Sequence, residues 1–238
     1  GFTGATGVTI GGVAATNFTV VSATSITATT PAGTAGAASV LVTTSNGTNA
    51  ANTLYNYIPT VTQSLSNLAK NATTLTITGT GFSTTAANNT VTFSSGTGTV
   101  TSATATQLTV TFNTEPGLGE LVAVVTTNGI GSVSGVEVAN IVNAPSITSI
   151  SPVAGPTAGG TIITINGLDF INATAVTIGG IAATSFTVNN GQKVTATTPA
   201  GTRGAANVVV TTADGSSSIT ALAKFNYTAG AFVKPVVR

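Results

Sequence analysis

FTGATGVTIGGVAATNFTVV, running from Phe2 to Val21, and FINATAVTIGGIAATSFTVN, running from Phe170 to Asn189, are two versions of one segment. The match continues through ITATTPAGTAGAASVLVTTSNG (Ile26 to Gly47) and VTATTPAGTRGAANVVVTTADG (Val194 to Gly215), without a gap and at a constant offset of 168 residues, Phe2 to Phe170. Halfway between lies a diverged copy. There Gly79-Thr80-Gly81-Phe82 answers Gly167-Leu168-Asp169-Phe170, Val91-Thr92-Phe93 answers Val176-Thr177-Ile178, and VVTTNG (Val124 to Gly129) answers VVTTADG (Val209 to Gly215). The period is therefore about 85 residues, the length of one small domain rather than of a solenoid turn.

Within the last copy, runs rich in Thr, Val and Ile alternate with Gly, Pro and Asn/Asp turn signals every eight to twelve residues or so, which is the spacing of a small β-sandwich. The reading predicts strands at Ser146–Ile150, Thr161–Asn166, Ala175–Ile178, Ile181–Asn189, Lys193–Thr197, Ala206–Thr212 and Ala223–Tyr227. Asn46-Gly47, Asn128-Gly129 and Asp214-Gly215 each follow a Val/Thr run, where a hairpin turn needs positive φ.

Composition narrows the chemistry. The 238 residues include no Cys, His, Met or Trp, and only 5% are charged, for a net charge of +1. Without His or Cys there is no imidazole base, thiolate nucleophile or soft metal ligand, so hydrolytic triads and zinc sites are excluded and the chain is not expected to be an enzyme. No cofactor is implied. The absence of basic clusters disfavours nucleic acid as a partner. Mean hydropathy is positive, yet the apolar residues are dispersed among Thr, Ser, Asn and Gly, and no window supplies the roughly 18 apolar residues of a membrane-spanning helix.

The segments SITSISPVAGPTAGGTIITINGLDF (Ser146 to Phe170), VTIGGIAATSF (Val176 to Phe186), TATTPAG (Thr195 to Gly201), VVVTTADG (Val208 to Gly215) and FNY (Phe225 to Tyr227) together resemble the IPT/TIG domain, of the plexin and transcription-factor type. The first copy carries the same motifs from Phe2 to Tyr55-Asn56-Tyr57. The middle copy departs from them, with Asn71-Ala72-Thr73 where GGT is expected and Asn113-Thr114-Glu115-Pro116 in place of PAG. The resemblance implies an all-β chain of tandem immunoglobulin-like β-sandwiches. That fold serves extracellular stalks, adhesins, receptor ectodomains and Rel-type transcription factors; the last need basic DNA-contacting loops that are missing here. With the Thr/Ser/Asn/Gly-rich, low-charge composition, the expectation is a bacterial or archaeal protein placed outside the cell or on its surface.

The domains read as 1–58, an incomplete repeat; 59–143, a diverged repeat; 144–228, a complete repeat; and 229–238, a β-prone tail. The first repeat starts at the equivalent of Phe170, so it lacks everything matching Pro145 to Leu168, its opening strands. A sandwich without them exposes core surface and an unpaired sheet edge. The tail, AGAFVKPVVR, resembles the opening strand of a further repeat. Its Phe232, Val233, Val236 and Val237, set against Phe2, Val8 and Ile10 of a neighbour's first repeat, are the candidate assembly residues. The bland alternative is a piece of a longer array.

The functional expectation is a structural subunit of an extracellular fibre, stalk or surface layer, self-associating head to tail by strand complementation into a homopolymer or array. The alternative is a cell-surface adhesion or glycan-binding module using loops at the sandwich ends. Three of the five acidic residues, Glu115, Glu120 and Glu137, fall in the middle copy, scattered between loop and strand, and read as solvated charge rather than a calcium site or a glycosidase pair. Aromatic residues recur at equivalent positions (Phe2, Phe82 and Phe170; Phe18 and Phe186; Tyr55/Tyr57 and Phe225/Tyr227), which argues for core packing over an exposed sugar platform. Six N-x-[ST] sequons, at Asn17, Asn46, Asn71, Asn88, Asn172 and Asn226, are no more than a chain so rich in Asn, Ser and Thr supplies by chance.

Overall fold

A computed structural model describes residues 1–229, and these fold into strands, turns and one 3-10 turn at Ala86–Asn88, with no α-helix. The first repeat contributes β1 (Ala5–Ile10), β2 (Val13–Ala14), β3 (Phe18–Ser22), β4 (Ser25–Ala28), β5 (Gly36–Ala38), β6 (Val40–Thr44), β7 (Gly47–Thr48) and β8 (Tyr55–Tyr57). The second contributes β9 (Thr60–Val61), β10 (Asn67–Ala69), β11 (Thr74–Thr80), β12 (Asn89–Phe93), β13 (Thr97–Ala103), β14 (Gln107–Thr114), β15 (Gly119–Thr127), β16 (Ile130–Gly131) and β17 (Val136–Val142). The third contributes β18 (Ser146–Ser151), β19 (Ala154–Pro156), β20 (Ile162–Leu168), β21 (Ala175–Ile178), β22 (Ile181–Ala182), β23 (Ser185–Asn190), β24 (Lys193–Thr197), β25 (Gly204–Thr212), β26 (Gly215–Ser216) and β27 (Lys224–Thr228).

Alternation of Thr with aliphatic residues makes these strands two-faced, because successive side chains leave a strand on opposite sides. In β11, TLTITGT, Thr74, Thr76 and Thr78 are exposed while Leu75 and Ile77 are buried. In the third repeat two such sheets, ordered β18-β20-β24-β23 and β19-β27-β25-β21-β22, enclose one core. Ile163, Ile165, Phe170, Ile178, Val194, Val208, Val210, Ala223 and Phe225 are its fully excluded members. This is an immunoglobulin-like sandwich.

The conserved-looking motifs acquire reasons. A side chain at Gly167 would strike the Ser146 carbonyl and the Phe170 ring, and one at Gly79 would strike the Thr60 carbonyl and the Phe82 ring, so the G-x-x-F pattern marks an aromatic ring and a neighbouring strand closing over bare backbone. The Asn128-Gly129 hairpin tip between β15 and β16 holds both residues at positive φ (49° and 80°), as a tight hairpin turn requires.

Two details differ from the sequence reading. The predicted strand Ile181–Asn189 is two strands, β22 on one sheet and β23 on the other, because the backbone changes partner between them: the Ala183 N–H donates to Val176 and the Thr184 N–H to Thr197. Ala154–Pro156, outside the strands predicted from sequence, is a short edge strand parallel to β27, where a proline is tolerated.

The chain forms two compact units, one of Gly1–Ser66 with Thr73–Ala139 and the other of Asn67–Ala72 with the chain from Asn140 on. These follow packing rather than the sequence period. The first repeat buries only Val8, Ile10, Ala35, Ala38 and Val42 among its apolar residues, too few for a core of its own, and is grouped with the second. In the first unit the Ala35 N–H donates to the Gly81 carbonyl (2.8 Å) and the Asn128 side-chain amide donates to the Ala35 carbonyl (2.9 Å). In the second, β10 pairs in parallel with the end of β17, and the Asn67 amide donates to the Asp214 carboxylate (2.8 Å).

Candidate functional site: the open face of the first repeat

The first and third repeats share sequence closely enough that each residue of one can be compared with its equivalent in the other. In the third, β24 lies between β20 and β23; in the first, the equivalent β4 pairs, among the described residues, with β3 alone. Val194 and Ala196 of β24 are 0% and 2% exposed, whereas Ile26 of β4 is half-buried and Ala28 is exposed. On the other sheet β27 lies between β25 and β19, while its equivalent β8 pairs, among the described residues, only with β5. Phe225 and Tyr227 are accordingly buried, and Tyr55 and Tyr57 are half-exposed.

Backbone groups tell the same story. In the third repeat the segment Thr157–Thr161 satisfies one loop: the Gly160 N–H donates to the Thr198 carbonyl, the Thr198 N–H to Thr161, and the Gly201 N–H to Thr157. The Thr161 N–H also donates to the Thr198 hydroxyl (3.1 Å), and Thr198 is fully excluded from solvent. The equivalent Thr30 and Gly33 have no such segment beside them among the described residues, and Thr30 is exposed. Unpaired main-chain groups beside half-buried apolar side chains are what an added strand satisfies.

A groove of about 510 Å³ opens here, lined chiefly by Thr30, Pro31, Gly33, Tyr55 and Tyr57, and bounded by Thr80, Gly81 and Ala105 of the second repeat. Among the described residues no charged side chain lines it. Its aromatic floor is already arranged as in the complete repeat: the Tyr55 and Tyr57 rings meet edge to face at 4.9 Å, as Phe225 and Tyr227 do at 5.0 Å. The Tyr57 hydroxyl donates to the Pro31 carbonyl (2.9 Å) and that of Tyr227 to Pro199 (2.7 Å). Each ring also lies over the loop glycine, Gly33 or Gly201, where a side chain would collide with it, which accounts for PAG and F-x-Y occurring together.

Burial pushes the Tyr57 phenol above its ordinary value of 10, with Tyr55 adding to the shift, and burial likewise raises Tyr227. A raised folded-state value means that the neutral form is favoured, so its contribution is intact below pH 10 and is lost as pH rises past it. Third-repeat stability, followed by denaturant unfolding at increasing pH, is expected to fall in that alkaline window, and Tyr227→Phe is expected to flatten the fall. An unchanged alkaline slope in that variant would count against the assignment.

Of the residues singled out from sequence, Phe2 is half-buried at this open face, with its N–H donating to the Ala23 carbonyl (2.7 Å). Val8 and Ile10 are each 4% exposed, on β1, whose two edges are already paired with β2 and β6; they are part of the existing core and not a strand edge. Phe232, Val233, Val236 and Val237 lie outside the described residues. Tyr55 and Tyr57, read from the repeat as core aromatics, are only half-buried here; the other edge residues, Ile26, Ala28, Thr30 and Gly33, were not singled out, although their equivalence to Val194, Ala196, Thr198 and Gly201 was a signal available in the repeat. Among the described residues no three acidic side chains gather to hold a metal ion.

A family model of the IPT/TIG domain matches residues 1–57, 59–138 and 145–227. No curated protein matches the chain. Among solved structures, the plexin A4 extracellular region is similar at 16% identity and a TM-score of 0.41, over 72% of this chain and 16% of that one. A Bacteroides ovatus mixed-linkage glucan utilization locus protein, SGBP-B, solved with a mixed-linkage heptasaccharide, is similar at 18% identity and a TM-score of 0.29, over 94% of this chain and 61% of that one. SGBP-B from a Bacteroides uniformis xyloglucan utilization locus is similar at 19% identity and a TM-score of 0.30, over 70% and 48%. The chain thus spans less than two thirds of each of these proteins.

Proposed function

The chain belongs to the IPT/TIG domain family, and on that premise we propose that it is a non-catalytic module of an extracellular or cell-surface protein, whose first sandwich accepts β-strand from another polypeptide segment to build a fibre, stalk or surface layer. One observation carries this reading. The two closely similar repeats differ at one edge: the equivalents of Val194, Ala196, Thr198, Phe225 and Tyr227 are less buried in the first repeat, and among the described residues β4 and β8 each lack the second neighbour that β24 and β27 have, leaving an open edge over an apolar floor. No residue is given a catalytic role. The donor suggested by the sequence is the 229–238 tail of a neighbouring copy. Its Pro235-Val236 resembles Pro145-Ser146 at the start of β18, but β18 pairs with β20, which has no counterpart among the first repeat's described residues, so such a donor would add directly along β4.

Light scattering and electron microscopy of the purified chain test this. Concentration-dependent linear association is expected, and a peptide with the sequence of Pro145 to Leu168 is expected to suppress it by occupying the groove. Monodisperse particles that ignore the peptide would sink strand acceptance.

The second reading, a glycan-binding or adhesion module, is favoured by the same groove's dimensions and chemistry: two tyrosine rings and threonine hydroxyls with no charge, suited to a neutral sugar. Titration with neutral oligosaccharides separates the two, since saturable binding abolished by Tyr55→Ala, with no response to the peptide, would support this reading and not the first.

A further inference from the structure

The hairpin tips of the three repeats are Asn46-Gly47, Asn128-Gly129 and Asp214-Gly215, and two of them grip other segments in opposite senses. Asp214 accepts, through its carboxylate, from the Asn67 amide at 2.8 Å. Asn128 donates, through its amide, to the carbonyl of Ala35 at 2.9 Å. Ala35 is 1% exposed, and its own N–H donates to the Gly81 carbonyl at 2.8 Å, so one residue of the first repeat is held from both sides by the second. At position 128 only an amide suits: a carboxylate has no proton to donate and would oppose the Ala35 carbonyl.

We propose that Asn128 is a covalently switchable clamp: attack by the Gly129 nitrogen on the Asn128 side-chain amide converts it to aspartate or isoaspartate and unlocks Ala35. In the first step a bond forms from the Gly129 nitrogen to the Asn128 Cγ and the Cγ–Nδ2 bond breaks. The departing nitrogen takes up the Gly129 amide proton and leaves as ammonia. Water then opens the cyclic imide at either carbonyl; nothing is oxidised or reduced. Gly129 has no side chain to hinder the approach, both residues are exposed to water, and the tip stands outside the core. This device is independent of strand acceptance, because it lies in the contact between the first and second repeats and not in the groove's open edge.

Hydrogen exchange read at the Ala35 amide, together with isoaspartate mapping after mild alkaline incubation, tests it. Asn128→Asp, which mimics one product, is expected to speed Ala35 exchange by about tenfold, the loss of roughly one hydrogen bond plus repulsion. Asn46→Asp, the same change on the hairpin whose amide has no partner among the described residues, is expected to leave that exchange unchanged. Wild-type protein aged until Asn128 is converted, then separated by charge from unconverted protein, is expected to match Asn128→Asp, and this arm stands if the variant folds poorly. Ala35 exchange that stays the same in both the variant and the aged fraction, or the absence of any conversion at Asn128 while Asn46 converts fully, would overturn the proposal.

Discussion

Phe170→Ala is expected to cost the third repeat about 3–5 kcal/mol, the usual penalty for emptying an aromatic site in a closed core, while the equivalent Phe2→Ala should cost the first repeat about 1–2 kcal/mol, since part of that ring already faces solvent. Phe170 is fully excluded and shares one core cluster with Ile147, Ile163 and Val194; Phe2 is half-buried, with no counterparts of Ile147, Ile150, Ile163 and Ile165 beside it among the described residues. Amide exchange resolved by repeat is the suitable measurement, because a chain of several packed units need not unfold in one step. Equal costs in monomeric protein would show that the first repeat closes its core without added strands, and the acceptor reading would lose its basis.

The second large effect comes from supplying the strands. Fusing a copy of Pro145 to Leu168 directly ahead of Gly1, in the register of the third repeat, is expected to slow exchange along β4 and β8 by about a hundredfold or more, equivalent to ~3 kcal/mol. The segment brings four isoleucines that the third repeat buries at 0–6% exposure, and it brings the main-chain partners of the groups left open at Thr30 and Gly33. Gly167 of the fused copy provides the control, for a side chain there would strike both the first strand and the ring of the phenylalanine that follows. The fusion carrying Gly167→Val at that position should lose most of the protection. A fused segment that leaves β4 exchange unchanged would mean that the open edge is not a strand site.

Much of this was legible before any fold was seen. Identity of Phe2–Gly47 with Phe170–Gly215 in pattern, together with Thr/Val/Ile alternation, was enough for tandem sandwiches, because burial on one face of a pleated strand imposes a period of two whatever the neighbours. The exchange of sheets between β22 and β23 was not legible, since IAATSFTVN (Ile181 to Asn189) reads as one β-prone run and the change of partner depends on where Val176 and Thr197 come to lie. Nor was the short parallel strand β19, whose Ala-Gly-Pro sequence has no strand propensity and is ordered by β27 beside it.

The candidate site shows the same division. Counting residues against the third repeat pointed to Phe2, which is half-buried. Val8 and Ile10, chosen for being apolar and near the start, are held in the interior of a paired sheet, whereas the exposed edge belongs to Ile26, Ala28, Thr30, Tyr55 and Tyr57, which are far apart in the chain and meet only when β4 and β8 are in place. By itself the sequence determined the family, the number of repeats, the strand-forming character of nearly every segment and the absence of imidazole and thiol chemistry, because these follow from local pattern and from side-chain inventory. Tertiary structure alone decided which backbone edges are left unpaired, that Tyr57 and Gly33 form one floor with Pro31, and that Asn128 grips Ala35 where Asp214 grips Asn67. Those are relations between residues distant in sequence, and no local propensity encodes which hydrogen-bonding group will face which.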